Sequence, residues 1–157
     1  MPDGNDKKAV SIEEKITQSL SGGARENALD YVGFMRENGI SFDSNNDGEG
    51  WAVGGVVGNS LGFMLVNGSA DFPGPWTLWF NSCEFEGEDK TDETLKQAAW
   101  GHASPCGQCH PGWKDCGGGD RVIFGKEFGR LCHSPLMFTN PDAKTLESVK
   151  KLSLMLK

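Results

Sequence analysis

Apolar residues near the start of the chain recur at intervals of four, which is the spacing of one face of an α-helix. The residues that follow this spacing are Ile12, Ile16 and Leu20. Ser11 stands just before them and Glu14 three positions later, so the two match the capping box that often begins a helix. The pattern predicts a short amphipathic helix that ends at the pair Gly22-Gly23.

Three more segments have a helical pattern. The second predicted helix runs from about Ala24 to Asn38, and Gly39 after it suits the left-handed conformation that commonly ends a helix. A third begins with Thr91 as its cap and continues to about His102. The last opens at Asn140-Pro141, with proline at the first helical position, where its missing N–H costs nothing. Its predicted buried stripe is Ala143, Leu146, Val149 and Leu152.

The segment between the second and third helices is typical of β-strands. Residues Trp51–Val57 and Leu61–Val66 flank the turn residues Gly58-Asn59-Ser60, which predicts a hairpin, and Trp76–Phe80 follows as a third strand. Further strand candidates are Ile40–Phe42, Arg121–Phe128 and Leu136–Thr139. Because these connections are too short for crossover helices, we expect the strands to pair antiparallel.

These elements predict an α+β fold with an antiparallel β-meander. We expect the N-terminal and C-terminal helices to pack on one side of the sheet. A length of 157 residues fits one domain. We therefore expect residues 1–10 to be a disordered tail and residues 11–157 to form a single domain that includes a Cys-rich metal-binding loop at residues 104–133.

Charge and hydropathy argue against a nucleic-acid-binding protein and against a membrane-spanning helix. The formal net charge is −7, which argues against nucleic-acid binding, because phosphate affinity comes from clustered lysine and arginine. The longest nearly apolar stretch, Trp51–Val66, is interrupted by glycines and is too short for a spanning helix. No apolar segment follows the first charged residues, so we expect no signal peptide, and we expect a soluble cytoplasmic protein that does not bind membranes.

The five cysteines carry the main chemical signal. Four of them lie late in the chain, at Cys106, Cys109, Cys116 and Cys132. Two thiolates in a CxxC turn can bind one Zn²⁺, and the other two cysteines would complete a tetrahedral site. The sequence therefore predicts a zinc site, with His110, His102 and His133 as the substitutes if one cysteine is not a ligand.

Other interpretations of the CxxC motif stay open. Cys106 and Cys109 are also compatible with a thiol-based redox or metal-sensing protein, or with a thiol enzyme. Residues 106–110 match the CxxCH motif of c-type haem attachment, although that attachment normally needs export. Reduced cysteines without any ligand are the remaining alternative.

Three weaker signals lie elsewhere. Asp43, Asn45, Asp47 and Gly48 match the first positions of an EF-hand loop, but Gly54 stands where a bidentate glutamate is required, so a polar turn is the better interpretation. The tryptophans of the predicted meander, Trp51, Trp76 and Trp79, could line a small-molecule or cofactor pocket, and close packing at the neighbouring glycines is the alternative. Cys83 follows a strand, and we expect it to be a core residue rather than a site in a cavity.

Several runs of residues together resemble a family of short, uncharacterised bacterial proteins with a Cys-rich segment before the last helix. The runs are Gly50–Val53, Pro73–Trp79, Cys106-x2-Cys109, Ile123–Phe128, Cys132 and Asn140–Ala143. The resemblance covers about residues 24–156, and it implies no activity. His110, directly after the CxxC motif, departs from the family pattern.

The sequence as a whole predicts a small zinc-binding domain that binds a small molecule or a protein partner. It indicates no set of catalytic residues, no phosphate-binding loop and no nucleophile motif. The identity of the ligand, the partner and the oligomeric state are left open.

Overall fold

The computed structural model describes residues 10–44, 50–54, 60–66, 74–105 and 118–156. These residues form an α+β fold with four α-helices and an antiparallel sheet of seven strands. The helices are α1 (Ile12–Ser19), α2 (Gly22–Glu37), α3 (Glu93–Gly101) and α4 (Ala143–Met155). The strands are β1 (Phe42–Ser44), β2 (Gly50–Val53), β3 (Gly62–Val66), β4 (Trp76–Phe80), β5 (Ala103–Pro105), β6 (Gly119–Ile123) and β7 (Lys126–Thr139).

The sheet has the strand order β1-β2-β3-β4-β7-β5, and β6 pairs with β7 outside this path. Every pair is antiparallel. None of the helices within the described ranges is long and apolar enough to cross a membrane. The fold class expected from the sequence is confirmed at this level.

Helix α1 begins as the sequence predicts, but it ends at Ser19, and the pair Gly22-Gly23, expected to end it, instead begins α2. The Ser11 side chain accepts a hydrogen bond from the backbone N–H of Glu14 at 3.1 Å, which satisfies one of the free donors at the start of α1. Ile12 and Ile16 are buried. After α2, Gly39 adopts a φ of 78°, the left-handed conformation for which glycine is favoured.

The predicted hairpin of the meander is confirmed. Strands β2 and β3 pair antiparallel, with Gly50 opposite Leu65 and Val53 opposite Gly62. The turn residues Gly58 and Asn59 lie outside the described residues. The first strand differs from its prediction, because β1 overlaps the expected Ile40–Phe42 only at Phe42.

The pairing register divides the meander into two faces. One row across four strands is Trp51, Met64, Leu78 and Phe138, and these residues are buried together with Ile16, Tyr31 and Leu146 of the helices. The neighbouring row on the opposite face is Ala52, Phe63, Trp79 and Met137. The core therefore lies between the first row and the helices.

The C-terminal strands differ from the prediction. The expected strand Arg121–Phe128 is a hairpin of β6 and β7, whose two-residue turn is Phe124-Gly125. Both turn residues have positive φ, 47° and 77°. The expected short strand Leu136–Thr139 is the end of β7, which runs unbroken from the hairpin to Thr139.

Helices α3 and α4 also begin at a different residue from the one expected. Asp92 rather than Thr91 caps α3, because its carboxylate accepts a hydrogen bond from the N–H of Leu95 at 2.9 Å. The prediction of Pro141 as the first residue of α4 is also wrong, since Asp142 caps this helix through the N–H of Thr145 at 2.7 Å. The predicted core residue Ala143, the first residue of α4, is exposed.

Candidate functional site

The Cys-rich segment leaves and re-enters the sheet beside one residue of β7. Strand β5 ends at Pro105, which pairs with Leu131, and β6 begins at Gly119, which also pairs with Leu131. A strand residue has one partner on each side, so Pro105 and Gly119 flank Leu131 at a separation of two strand spacings, about 10 Å. Both ends of the segment are therefore fixed beside the residue that precedes Cys132.

Cys132 is the predicted zinc ligand that the structure describes. Leu131 is 2% exposed and belongs to the core. Because side chains alternate along a strand, Cys132 points to the opposite face from Leu131, and it is half-buried there. The other predicted ligands, Cys106, Cys109, Cys116 and His110, lie outside the described residues. In the described ranges, no three histidine, cysteine or acidic side chains are grouped to hold a metal ion.

The two substitute histidines have different surroundings. His102 ends α3, and its Nδ1–H donates to the carbonyl oxygen of Ala98 at 2.7 Å. The His102 ring lies against Phe138, with 4.6 Å between ring centroids, beside a groove of about 440 Å³ between α3 and α4. Among the described residues, the other ring nitrogen, Nε2, has no hydrogen-bond partner. His133 is exposed on β7, next to Cys132.

The three tryptophans of the meander do not face one common space. Trp51 and Trp76 are buried on the core face, and Trp76 lies against Tyr31 with 6.2 Å between ring centroids. Trp79 lies on the opposite face, 6.1 Å from the Phe63 ring. The Trp76 indole N–H is buried, and no residue of the described chain accepts a hydrogen bond from it. A binding role for these residues stays a prediction.

Gly62, the first residue of β3, has a packing role in the meander. A side chain at Gly62 would collide with the carbonyl oxygen of Trp79 on the neighbouring strand. Glycine therefore lets β3 and β4 approach closely, which favours the packing interpretation over an open hollow at this position.

The possible calcium loop begins within a strand. Asp43 belongs to β1 and pairs with Ala52, so its backbone follows the sheet rather than a turn. Asn45, Asp47 and Gly48 lie outside the described residues. Gly54 follows β2 directly, with a φ of 81°.

Cys83 belongs to the buried core, as expected, and it also lines a cavity, which the sequence did not favour. The residue follows β4, is 9% exposed, and forms the floor of a cavity of about 340 Å³ together with the buried Pro135. Its Sγ lies 4.0 Å from the carbonyl oxygen of Val122, which is too long for a strong hydrogen bond. Burial raises the pKa of the Cys83 thiol, while the charge of Arg121 acts in the opposite direction.

The rim of this cavity is held by side-chain hydrogen bonds. Asn81 donates from Nδ2 to the backbone oxygen of Ser60 at 3.1 Å, and its Oδ1 accepts from the Ser134 hydroxyl at 3.4 Å. Ser82 accepts a hydrogen bond from the N–H of Glu84 at 3.0 Å, which turns the chain after β4. Asn-Ser after a strand is a turn signal in the sequence, but nothing local indicates the cavity.

Comparisons of the chain with protein-family models, with curated proteins and with solved structures found no match.

Proposed function

We propose that this chain is a small binding module in which one Zn²⁺ holds the segment between β5 and β6. The proposed ligands are Cys106, Cys109, Cys116 and Cys132, with His110 as the substitute for one of the thiolates. The observation that supports this proposal is the pairing of Pro105 and Gly119 with Leu131. This pairing places the residue before Cys106 and the strand that carries Cys132 side by side.

The composition of the segment supports a structural role for the metal. Residues 106–118 are rich in glycine, and Trp113 is their one large apolar side chain. Burial alone would offset little of the backbone entropy lost on ordering, about 1 to 2 kcal/mol per residue. Zinc binding by thiolates contributes on the order of 10 kcal/mol. Four sulfur ligands leave no open position for water, so the proposed site is structural and the function is binding.

Zinc analysis of matched serine variants tests the proposal. We expect one zinc per chain in the wild type and in Cys83→Ser, since Cys83 lies in a separate cavity. We expect Cys132→Ser, Cys106→Ser and Cys109→Ser to lose the zinc. His110→Ala keeps the zinc if four thiolates bind it, and loses it if His110 is a ligand.

Chelation of the wild type gives an independent measurement. We expect amide hydrogen exchange to become faster at Gly119, Leu131 and Cys132 after zinc removal, while β2, β3 and β4 stay protected. Absence of zinc from fresh protein, together with a reversible Cys106–Cys109 disulfide, would instead support the thiol-based alternative. A red protein with a Soret absorption band would support the haem alternative.

A further inference from the structure

The cavity above Cys83 is lined by charges of both signs, and no ion pair joins them in the described part of the chain. Its charged residues are Glu84, Asp120 and Arg121. Within the described part of the chain, the Arg121 guanidinium forms no ion pair or hydrogen bond, and neither does the Glu84 carboxylate. Asp120 already has one hydrogen-bond partner, because its Oδ1 accepts a hydrogen bond from the backbone N–H of Arg130 at 2.9 Å.

The floor of the same cavity is less polar. Cys83 and Pro135 are buried beneath the charged rim, and Val122 lines one wall. The volume of about 340 Å³ is at the lower end of the range for small-molecule pockets. The hydrogen bonds of Asn81 to Ser60 and Ser134 fix the rim across three parts of the sheet. The cavity is therefore a depression at the surface with Cys83 and Pro135 buried in its lining, large enough for a small molecule.

We propose that this cavity binds a small zwitterion with a carboxylate and an ammonium group close together, such as an α-amino acid with a small apolar side chain. The Arg121 guanidinium would take the carboxylate, for which its planar pair of donors is suited. Glu84 would take the ammonium group, and Cys83 and Pro135 would contact the apolar side chain. The inference names a ligand class for the proposed binding module, and it does not depend on zinc.

The charges of the cavity argue against a ligand that carries only a positive or only a negative charge. A simple anion would approach Arg121 but would also meet the carboxylates of Glu84 and Asp120. A simple cation would approach these carboxylates but would also meet the positive charge of Arg121. A zwitterion satisfies both signs at once, and like-charge repulsion discriminates against the other two classes.

Titration of the ¹⁵N-labelled full chain with three matched probes tests the proposal. The probes are L-valine, isobutylamine, which lacks the carboxylate, and isovalerate, which lacks the ammonium group. We expect L-valine to cause saturable shifts in the amide signals of Cys83, Glu84 and Arg121. Each of the one-charge probes should bind at least about tenfold more weakly.

Two arginine variants complete the test. Arg121→Gln should weaken L-valine binding by about tenfold or more, while Arg25→Gln, an exposed arginine on α2, should leave it unchanged. Equal binding of isovalerate, equal binding of isobutylamine, no saturable shift with L-valine, or unchanged binding in Arg121→Gln would each overturn the inference. Zinc content measured on the same sample separates this result from that of the zinc proposal.

Discussion

The rings of Phe85 and Phe124 stack almost parallel, with 4.8 Å between their centroids and 12° between their planes. Phe124 makes this contact from the first position of a two-residue hairpin turn, with a φ of 47°. A left-handed backbone costs an ordinary residue about 1 to 2 kcal/mol, and glycine or asparagine is preferred there. The buried stacking contact therefore offsets strain in the turn.

Two substitutions at Phe124 should separate the energetic cost of the backbone strain from the stabilisation that the ring stacking contributes. Phe124→Ala removes the ring and keeps the Cβ, so we expect a loss of about 3 to 5 kcal/mol in the free energy of unfolding. Phe124→Gly removes the ring and also the strain, so we expect it to be about 1 kcal/mol more stable than Phe124→Ala. Urea denaturation of the two variants measures this difference. Equal stability, or a less stable glycine variant, would contradict the strain.

The turn at Phe124 also shows why part of the fold could not be predicted from the sequence. A type I′ turn is predicted from Asn-Gly or Gly-Gly, whereas Phe-Gly looks like the continuation of a strand. The residue that compensates for the strain, Phe85, is distant in the sequence. In contrast, the buried face of α1 was predictable, because the spacing of Ile12 and Ile16 is a local signal.

The candidate sites likewise depend partly on local sequence patterns and partly on how the strands pair. The CxxC motif is local, so the sequence could indicate a zinc site. That Pro105 and Gly119 share Leu131 as a partner depends on strand pairing, which no local pattern specifies. The cavity above Cys83 combines the end of β4 with β6 and β7, so it exists only after the sheet has formed.

Leu146 should be a major contributor to the core. It is 1% exposed on α4, and Leu146→Ala should lower the free energy of unfolding by about 2 to 5 kcal/mol. Leu154→Ala on the same helix is the matched control, since Leu154 is 44% exposed and should change stability by about 0.5 kcal/mol or less. Denaturant titration measures both variants, and similar costs for the two would show that α4 is peripheral.

The buried hydroxyl pair between α2 and α4 should respond unequally to its two deletions. Ser153 donates its hydroxyl hydrogen to the carbonyl oxygen of Val149 at 2.7 Å, so Tyr31 must be the donor in the 3.0 Å contact with Ser153. Tyr31→Phe leaves Ser153 satisfied and should cost about 0.5 to 1.5 kcal/mol.

Ser153→Ala instead leaves the Tyr31 hydroxyl buried without its acceptor. We expect this variant to cost about 1 to 3 kcal/mol, because the whole desolvation penalty remains. Thermal or urea unfolding compares the two variants. A larger cost for Tyr31→Phe would show that the donor has been assigned wrongly.

Lys150, a residue whose side chain is mostly buried, links α4 to α2 through its ammonium group. Its Nζ donates to Asp30 at 2.6 Å and to Glu147 at 3.0 Å, and its side chain is 9% exposed. Burial by itself would lower the pKa of Lys150, but the hydrogen bonds to the two carboxylates raise this pKa above its usual value. The folded state therefore holds this proton more tightly than the unfolded state does.

The stabilisation from Lys150 should consequently be lost at high pH. It is complete below the ordinary lysine pKa of about 10.4 and disappears as the pH rises through the higher pKa of the folded state. Burial also raises the pKa of Tyr31, which lowers stability over the same range, so wild type must be compared with Lys150→Met. Tyr31 is present in both proteins, and the difference between them isolates Lys150.

We expect Lys150→Met to lower the free energy of unfolding by about 1 kcal/mol or less at pH 7, because the methionine side chain still packs where the aliphatic part of lysine did. The side chains of Asp30 and Glu147 are 55% and 64% exposed, so their carboxylates regain water in the variant. Urea denaturation from pH 7 to pH 11.5 should give a wild-type stability that falls more steeply above about pH 10.4 than that of the variant, so that the two curves converge. Parallel curves over this range would show that the protonation of Lys150 is not linked to folding.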